Sequence, residues 1–288
     1  MTSPLPERAG RRCHNRLNPL HSTHYFSPDL GRELAALGVG DPTAAYLAAR
    51  AAAMGAVDAG VVTATFYNFR PGLVARHVPA VWETASPAVV LTARLRAVDA
   101  TLRRLLGEEV RTAEEVAEAA ELALVAAEAC TPVARPLYAA HAGLPVPEEP
   151  HLALWHAATL LREHRGDGHL AVLLAAELDP LEALVSHTAT GKGMAPQWAL
   201  GTRGWKRAEW DAAVERLRGR GLLDGDGELT PAGAALRREI EAETDRLDRA
   251  PYAHLGAAGV ERLTELAGGL AGRALAAGAF PAGMTGKG

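Results

Sequence analysis

The stretch Leu160–Ala171 (LLREHRGDGHLA) holds the side chains best suited to chemistry in this chain. It places two arginines, two histidines and two carboxylates between apolar flanks. A charged group close to a hydrophobic core has to form an ion pair or take part in function. Glu163 or Asp167 beside His169 would form a carboxylate–imidazole pair, which can perform general acid–base chemistry on a bound water. Two alternatives stay open, a small-molecule site and a purely structural network of ion pairs.

Candidate ligand-binding residues come from this stretch and from the aromatic segment 66–69. Phe66 and Phe69 are further wall candidates, with plain core packing as the alternative for the aromatic residues. No nucleophile elbow, phosphate-binding loop or reactive-cysteine pattern accompanies the charged stretch, so no catalytic residue is assigned and enzyme activity is left open. The candidate ligand-binding residues are Arg162, Glu163, His164, Arg165, Asp167, His169, Tyr67 and Asn68.

Gly166-Asp167-Gly168 predicts a turn between two helices. Apolar residues recur at helical intervals before it, and residues 170–178 form a second apolar helical run. Because the flanking glycines let the backbone bend without steric cost, we expect Asp167 to cap the second helix. His169 would then lie in the first turn of that helix, where positive charge is disfavoured, as a neutral imidazole. For a structural network, Arg162 and Arg165 would pair with the two carboxylates.

The histidines and cysteines give no metal-binding pattern. His21 and His24 are three residues apart, but they precede the first helix cap, which predicts a loop. Cys13 and Cys130 lie too far apart in sequence for a paired-cysteine zinc motif or a disulfide framework. We therefore expect no metal and no cofactor.

Composition predicts a mainly α-helical protein. The 288 residues are 48% hydrophobic but only 5% aromatic, so the core should consist largely of alanine, leucine and valine. The net charge of −4 argues against a broad basic surface for nucleic acid. No signal peptide and no apolar run of membrane-spanning length is recognisable, so we expect a cytoplasmic protein without a membrane partner.

Helix starts are marked by a capping residue followed by proline. This pattern occurs at Ser27-Pro28, Asp41-Pro42 and Ser86-Pro87. Val61–Phe69 is rich in β-branched and aromatic residues, yet its helical neighbours favour a buried helix. The three prolines of Leu144–Pro150 predict a linker.

The second half of the chain repeats features of the first. Five matched features, including Arg135–Tyr138 with Arg249–Tyr252, keep their order at an offset of roughly 107–123 residues. We therefore expect an internal duplication in which residues 24–143 and 152–266 superpose. The expected domains are a loose N-terminus (1–18), a first winged-helix-like unit (19–143), a Pro-rich linker (144–150), a second winged-helix-like unit (151–280) and a loose C-terminus (281–288).

The pattern of the second copy predicts the C-terminal part of a winged-helix unit. A helix over 207–221 leads to a short strand at Leu222-Leu223, a tight turn at Asp224–Gly227 and a return strand at Leu229-Thr230. Thr230 should then cap a helix that begins at Pro231. The sequence RLRGRGLLDGDGELTPAGAALRREIEAETDRL resembles the back half of the MarR-type winged helix.

The fuller pattern is similar to an actinobacterial helix-turn-helix family. The matching segments are LWHAATLLREHRGDGHLA, TATFYNFRPGLV and RGW, and the resemblance covers roughly residues 20–280. It implies a winged-helix fold, with small β-wings, and descent from transcription factors. It implies no substrate and assigns no role to any residue.

The charges of the expected recognition helices and wings differ from those typical of DNA-binding proteins. Candidate DNA-binding residues are Lys206 and Arg207 at the start of the expected recognition helix, and Arg94 and Arg96 in the first copy. Both expected wings are acidic, at Glu108-Glu109 and at Asp224-Gly225-Asp226, where phosphate would be repelled.

Three functions therefore remain after the sequence alone. The first is a helix-turn-helix regulator that senses a small molecule around Glu163–His169, with DNA and that ligand as partners. The second is an enzyme or ligand-binding protein on a winged-helix scaffold that no longer binds DNA. The third is a protein-binding module.

Overall fold

The structure, a computed structural model, describes residues 5–284 and is mainly helical. Short 3₁₀ helices lie at Thr23–Phe26, Ala52–Met54 and Glu108–Arg111. In the described range the only β-type pairing outside helices is an antiparallel bridge between Leu223 and Leu229. The α-helices, in chain order, are α1 (Ala9–Ser22), α2 (Pro28–Ala35), α3 (Pro42–Ala51), α4 (Ala59–Phe66), α5 (Pro71–His77), α6 (Val81–Thr84), α7 (Pro87–Leu106), α8 (Glu114–Ala127), α9 (Pro136–Ala142), α10 (Pro150–Ala175), α11 (Pro180–Thr188), α12 (Pro196–Arg203), α13 (Arg207–Gly219), α14 (Pro231–Leu247) and α15 (Arg249–Ala276).

Many helices begin where a capping residue precedes proline, as the sequence predicts. The Ser27 hydroxyl accepts a hydrogen bond from the Asp29 backbone N–H at 3.1 Å at the start of α2. The Asp41 carboxylate accepts two N–H groups at the start of α3, at 2.8 and 2.9 Å. Thr230 caps α14 through the N–H of Gly233 at 3.1 Å. These bonds satisfy N–H groups that the first turn of a helix leaves without partners.

The described residues form two compact units. Unit 1 comprises residues 5–56, 80–168 and 245–280, and unit 2 comprises 57–79, 169–244 and 281–284. Each unit therefore draws on both halves of the chain. These units do not coincide with the expected domains 19–143 and 151–280, and the internal duplication stays a prediction. Residues 285–288 of the expected loose C-terminus, and 1–4 of the N-terminus, lie outside the described residues.

The core of unit 1 forms between α1, α8, α15 and the first part of α10. Its alanines let the helices approach closely, and its larger members include Trp155 and Tyr252, 2% and 1% exposed. The expectation of a loose segment over 1–18 was wrong for residues 9–18. They belong to α1, whose Cys13 and Leu17 are almost fully buried in this core.

The expected turn at Gly166-Asp167-Gly168 was also wrong, because α10 runs without interruption from Pro150 to Ala175. A glycine costs a helix about 1 kcal/mol relative to alanine, which packing can offset. Here Gly168 leaves the space that Arg135 needs: a Cβ at this position would lie 2.7 Å from the guanidinium. Arg135 uses this space to donate a hydrogen bond to the backbone carbonyl of His164.

In unit 2, two helices joined by a short turn precede a short hairpin. Helix α12 ends at Arg203 with Gly204 as its C-cap residue, and α13 begins at Arg207. The chain then reverses between Leu223 and Leu229 before α14. The segment Val61–Phe69, expected to be a buried helix, is helical only as far as Phe66, because Tyr67 leaves the helical conformation at φ 57°, and Val61 is exposed.

The other expected wing, at Glu108-Glu109, does not form a hairpin. Residues Glu108–Arg111 form a 3₁₀ turn directly after α7. Gly107 precedes this turn at φ 94°, which directs the chain out of α7.

None of the described helices is, by itself, long and apolar enough to cross a membrane. The helical pair Pro42–Met54 and Ala59–Phe66 meets that length and composition test together, as a bent pair.

Candidate functional site

A cluster of buried polar and aromatic side chains lies in unit 1, where α3, α7, α9 and α10 meet the end of α1. We call it the polar cluster. Its members are His21, His24, Tyr25, Tyr46, Arg50, Arg94, His141, Trp155, Arg162 and Glu163.

Glu163 is the carboxylate of the polar cluster, and it is 1% exposed. Arg50 donates to its Oε2 at 3.1 Å, and Arg162 pairs with its Oε1. Burial alone would raise the pKa of Glu163, but the charges of Arg162 and Arg50 outweigh burial and lower it to about 2. Glu163 is therefore ionised and doubly paired, which makes it a structural and electrostatic anchor rather than a proton donor.

Arg94 is buried in the polar cluster without a carboxylate partner. In residues 5–284 its hydrogen bonds go to neutral groups, the Ala49 carbonyl at 2.8 Å and the His141 Nε2 at 3.2 Å. Its Nε has no hydrogen-bond partner, and its guanidinium lies 5.2 Å from the centroid of the Trp155 ring. Burial lowers the pKa of Arg94 to about 10, so the side chain remains charged at neutral pH.

This placement corrects the expectation that Arg94 contacts DNA. The side chain is 5% exposed and cannot reach a phosphate group outside the protein. Arg96, two residues further along α7, is about half exposed and pairs with Glu33 at 2.8 Å. Arg96 remains a candidate for DNA contact.

The histidines of the polar cluster are buried and neutral. His24 Nδ1 lies 2.7 Å from the His21 carbonyl and donates to it, and the Trp155 indole N–H donates to the same carbonyl at 3.2 Å. Burial lowers the pKa of His24 and of His141 to about 3, and that of His21 well below its ordinary value. His21 Nδ1 and His24 Nε2 have no hydrogen-bond partner within the described structure.

The expected loop at His21 and His24 was wrong. His21 lies in the last turn of α1 and His24 in the 3₁₀ helix that follows it. Both are 1% exposed, and His21 stacks on Trp155 with an interplanar angle of 11°. Their spacing of three residues turns both side chains towards the core.

His164, Arg165 and Asp167 form a second set of contacts in unit 1. His164 Nδ1 bonds to Asp248 at 2.8 Å, and Arg165 pairs with Asp245 at 2.9 Å. Asp167 accepts hydrogen bonds from the backbone N–H groups of Leu137 and Tyr138 at 3.0 and 2.9 Å. Asp167 thus caps α9 and not, as the sequence predicted, the start of a helix that follows a turn at 166–168.

The expected ion-pair network is therefore only partly present. Arg162 does pair with Glu163, but Arg165 reaches carboxylates outside the stretch, and Asp167 bonds to backbone groups. Burial raises the pKa of Asp167 to about 6, while its two backbone hydrogen bonds act in the opposite direction.

The other candidate ligand-binding residues belong to unit 2. His169 Nδ1 lies 2.9 Å from the Thr244 hydroxyl. The Tyr67 hydroxyl donates to the Leu178 carbonyl, and the Asn68 carbonyl accepts the Trp205 indole N–H at 2.9 Å. Phe66 and Phe69 are 3% and 2% exposed, as core residues are. Tyr67 and Asn68 therefore join remote parts of unit 2, and their part in ligand binding stays a prediction.

A metal site does not emerge from the part of the chain that the structure describes. No group of three or more histidine, cysteine, aspartate or glutamate side chains there could hold a metal ion.

The turn between α12 and α13 depends on glycine at position 204. Gly204 has φ 78°, a left-handed conformation, and a Cβ there would lie 2.8 Å from the Cβ of Leu73. The Arg203 carbonyl accepts the Arg70 backbone N–H at 2.9 Å on the same side of the turn. A three-residue turn that contains glycine is typical of DNA-binding helix-turn-helix motifs.

The exposed face of α13 carries charges of both signs. Arg207 pairs with Asp211 at 2.9 Å, and Arg218 with Glu215 at 2.5 Å. Arg216 is occupied by Asp179 and Glu182 of the region around α11. Lys206 is exposed and is the N-cap residue of the helix.

The hairpin after α13 is acidic and well organised. The Asp224 carboxylate accepts the N–H groups of Asp226 and Glu228, both at 2.9 Å. Arg218 donates to the carbonyls of Asp224 and Gly225, at 2.9 and 2.6 Å. These bonds fix the turn, on which Asp224, Asp226 and Glu228 are all exposed.

Comparison with known proteins supports the helix-turn-helix assignment. A model of a helix-turn-helix family matches residues 10–281, which is nearly the whole chain. No curated protein and no solved structure matches the chain significantly. The geometry around Gly204 and the extent of the family match agree, and the chain belongs to this helix-turn-helix family.

Proposed function

We propose that this protein is a DNA-binding, regulator-like protein of winged-helix type that also senses a small molecule. Helix α13 is the recognition helix, the hairpin at 222–230 is the wing, and the polar cluster of unit 1 is the ligand site. The observation that carries the DNA-binding part is the α12–Gly204–α13 turn, in a chain that belongs to a helix-turn-helix family. Such a protein would act in the cytoplasm, on DNA that is accessible there.

The start of α13 is the best-placed DNA contact. Helix-turn-helix proteins insert the N-terminal residues of the second helix into the major groove. Lys206 and Arg207 occupy this position and are exposed, and the Arg207 side chain is 72% exposed. The pairing of Arg207 with Asp211 is an exposed ion pair, which contributes little and can be exchanged for a base or phosphate contact.

The electrostatics favour selective over general DNA binding. The arginines at 216 and 220 are held by Glu182, and the wing carries Asp224 and Asp226. Few phosphates can therefore be neutralised, so random duplex DNA should bind more weakly than the micromolar affinity that is usual for non-specific complexes. Base contacts from α13 would have to supply most of the affinity for a cognate site.

The test is selection of bound sequences from a random duplex library, followed by mobility shifts with the enriched sequence. Lys206→Ala and Arg207→Ala should weaken that complex, each by about 1–3 kcal/mol if the contact is to a base. Arg262→Ala, at an exposed arginine of unit 1, serves as the control and should leave binding unchanged. If no sequence is enriched, or if both α13 variants bind as the wild type does, the proposal fails.

A second candidate function is a ligand-binding protein on a winged-helix scaffold that no longer binds DNA. The acidic hairpin and the mutually paired charges of α13 favour this candidate. It predicts no enriched sequence in the selection, together with a ligand that raises the melting temperature.

The MarR-like relationship and the internal duplication are part of the same proposal. The order α3, α5, α7, α8, α9 in the first half parallels α10, α11, α13, α14, α15 in the second. Superposition of residues 24–143 on 152–266 in an experimental structure would test the duplication. Unrelated helix directions in the two halves would refute it.

A further inference from the structure

The charges of the polar cluster do not balance. The cluster contains three positively charged guanidinium groups, those of Arg50, Arg94 and Arg162. It contains one carboxylate, Glu163, and the neighbouring histidines are neutral. Arg50 and Arg162 both pair with Glu163. Three positive charges thus face one negative charge, and Arg94, which is 5% exposed, is the guanidinium whose printed hydrogen bonds within residues 5–284 reach no carboxylate.

A buried guanidinium without a counter-ion is strongly unfavourable unless another negative charge reaches it. Buried polar atoms in folded proteins are nearly always hydrogen-bonded, so each exception requires an explanation such as a bound molecule. Arg94 Nε, His21 Nδ1 and His24 Nε2 are three such atoms within one cluster. Arg94 Nε offers a donor, whereas the neutral His24, whose Nδ1 donates to the His21 carbonyl, offers an acceptor at Nε2.

The surrounding side chains are flat and aromatic. His21 stacks on Trp155 at 5.4 Å, and Tyr25 lies 4.9 Å from Tyr46, measured between ring centroids. Arg162 lies 6.0 Å over the Tyr25 ring and is 22% exposed, so the cluster reaches the surface of unit 1 at this side. Flat aromatic walls suit a planar ligand.

We propose that the polar cluster binds a small aromatic carboxylic acid, whose carboxylate pairs with the Arg94 guanidinium. This rests on the sensing part of the proposed function and names the ligand class. Planar carboxylates match the fork of an arginine, and such charge-assisted hydrogen bonds are among the strongest in proteins. The ring of the acid would lie among Tyr25, Tyr46 and Trp155.

The experiment compares matched probes by thermal melting and calorimetry of the full chain. Benzoate, phenylacetate and 4-hydroxybenzoate should raise the melting temperature, whereas their primary amides, which have the same shape without the charge, should not. Arg94→Gln should weaken carboxylate binding by about tenfold or more, the loss expected for a charge-assisted hydrogen bond. Arg94→Lys keeps the charge and should retain part of the binding. Arg96→Gln, on the same helix but exposed, is the control and should bind as the wild type does.

The outcomes separate this inference from the proposed function. Equal effects of acids and amides, or no effect of either on the wild type, would overturn the inference even if a DNA site is found. Carboxylate binding that Arg94→Gln leaves intact would overturn it as well. Stabilisation by the acids, lost in Arg94→Gln and partly kept in Arg94→Lys, supports it even if no DNA sequence is enriched. If Arg94→Gln does not fold, the comparison of acids with amides on the wild type decides.

Discussion

The carboxylate of Asp167, on helix α10, caps helix α9 through the backbone N–H of Tyr138 at 2.9 Å. The same oxygen accepts the N–H of Leu137 at 3.0 Å. The residue before α9, Arg135, makes no capping bond with its side chain, so Asp167 supplies the cap from a distant part of the chain. We expect Asp167→Ala to lower the free energy of unfolding by about 1–3 kcal/mol, measured by denaturant titration.

A matched control is Asp41→Ala. Asp41 also accepts two backbone N–H groups, but it caps its own helix at an exposed position. Its loss should be smaller, about 1 kcal/mol, since water can replace the cap. Equal losses at both positions would contradict the idea that burial makes the Asp167 cap special.

Glu163→Gln should be among the most destabilising single substitutions in unit 1. It removes the carboxylate that Arg50 and Arg162 share and leaves several buried positive charges together. Breaking a buried ion pair from one side costs about 3–5 kcal/mol. Chemical denaturation measures the loss, and Glu33→Gln, at the partly exposed partner of Arg96, should change stability by about 1 kcal/mol or less. A loss of that smaller size at Glu163 would show that the cluster is open to water.

Acid should begin to destabilise the protein below about pH 6.5, which is higher than the pH at which surface carboxylates titrate. Burial lowers the pKa of His24 and His141 to about 3 and that of His156 and His187 to about 4. In the unfolded chain the same histidines bind protons near pH 6.5. The unfolded state thus binds more protons below pH 6.5, so stability is full above that pH and falls as the pH drops towards 4.

Each of these histidines contributes at most about 1.4 kcal/mol per pH unit. Asp167 acts in the opposite direction: its pKa is raised to about 6, so the folded state gains stability as the pH falls from 6 towards 3.8. Because several histidines oppose the one aspartate, the free energy of unfolding should decrease overall as the pH falls from 7 to 4. Unfolding free energies between pH 7 and 4 measure the slope, and His141→Gln should reduce it while His254→Gln, at an exposed histidine, should not. A flat profile would mean that the histidines are solvated.

Adding positive charge to the hairpin should strengthen binding to random DNA. Asp226 lies exposed at the tip of the proposed wing. Asp226→Lys should raise non-specific affinity and, for one added phosphate contact, steepen the salt dependence by about 0.9 in log–log slope. Glu261→Lys changes charge equally on an exposed position of unit 1 and should have no such effect. If both variants respond alike, the wing does not contact DNA.

The sequence predicts helix starts well because they depend on local chemistry. Asp41-Pro42 and Thr230-Pro231 combine a side-chain acceptor with a fixed proline φ angle, and both begin helices in the structure. The turn expected at Gly166–Gly168 fails for the opposite reason. Its two glycines weaken the helix locally, but packing against Arg135 and the burial of α10 decide the conformation.

The candidate site was found only in part. Glu163 and Arg162 were identified from their position in an apolar segment, whereas Arg94 was misassigned to a DNA surface. The sequence pattern does indicate that Arg94 is buried, because it lies on the same face of α7 as apolar residues. These are Val90, Ala93, Ala97 and Val98. The approach of His21 and His24 to Arg94 depends on tertiary contacts between distant segments, which no local pattern encodes.

Unit 2 cannot be completed until late in synthesis. The indole of Trp205 and the carbonyl of Asn68, which hold its helix-turn-helix to the segment 57–79, are 137 residues apart in the chain. A ribosome adds about 5–20 residues per second, so the early segment waits roughly 7–27 s for its partner. During that interval the apolar side chains of 61–69 have no native neighbours from the second half and are a natural target for chaperones.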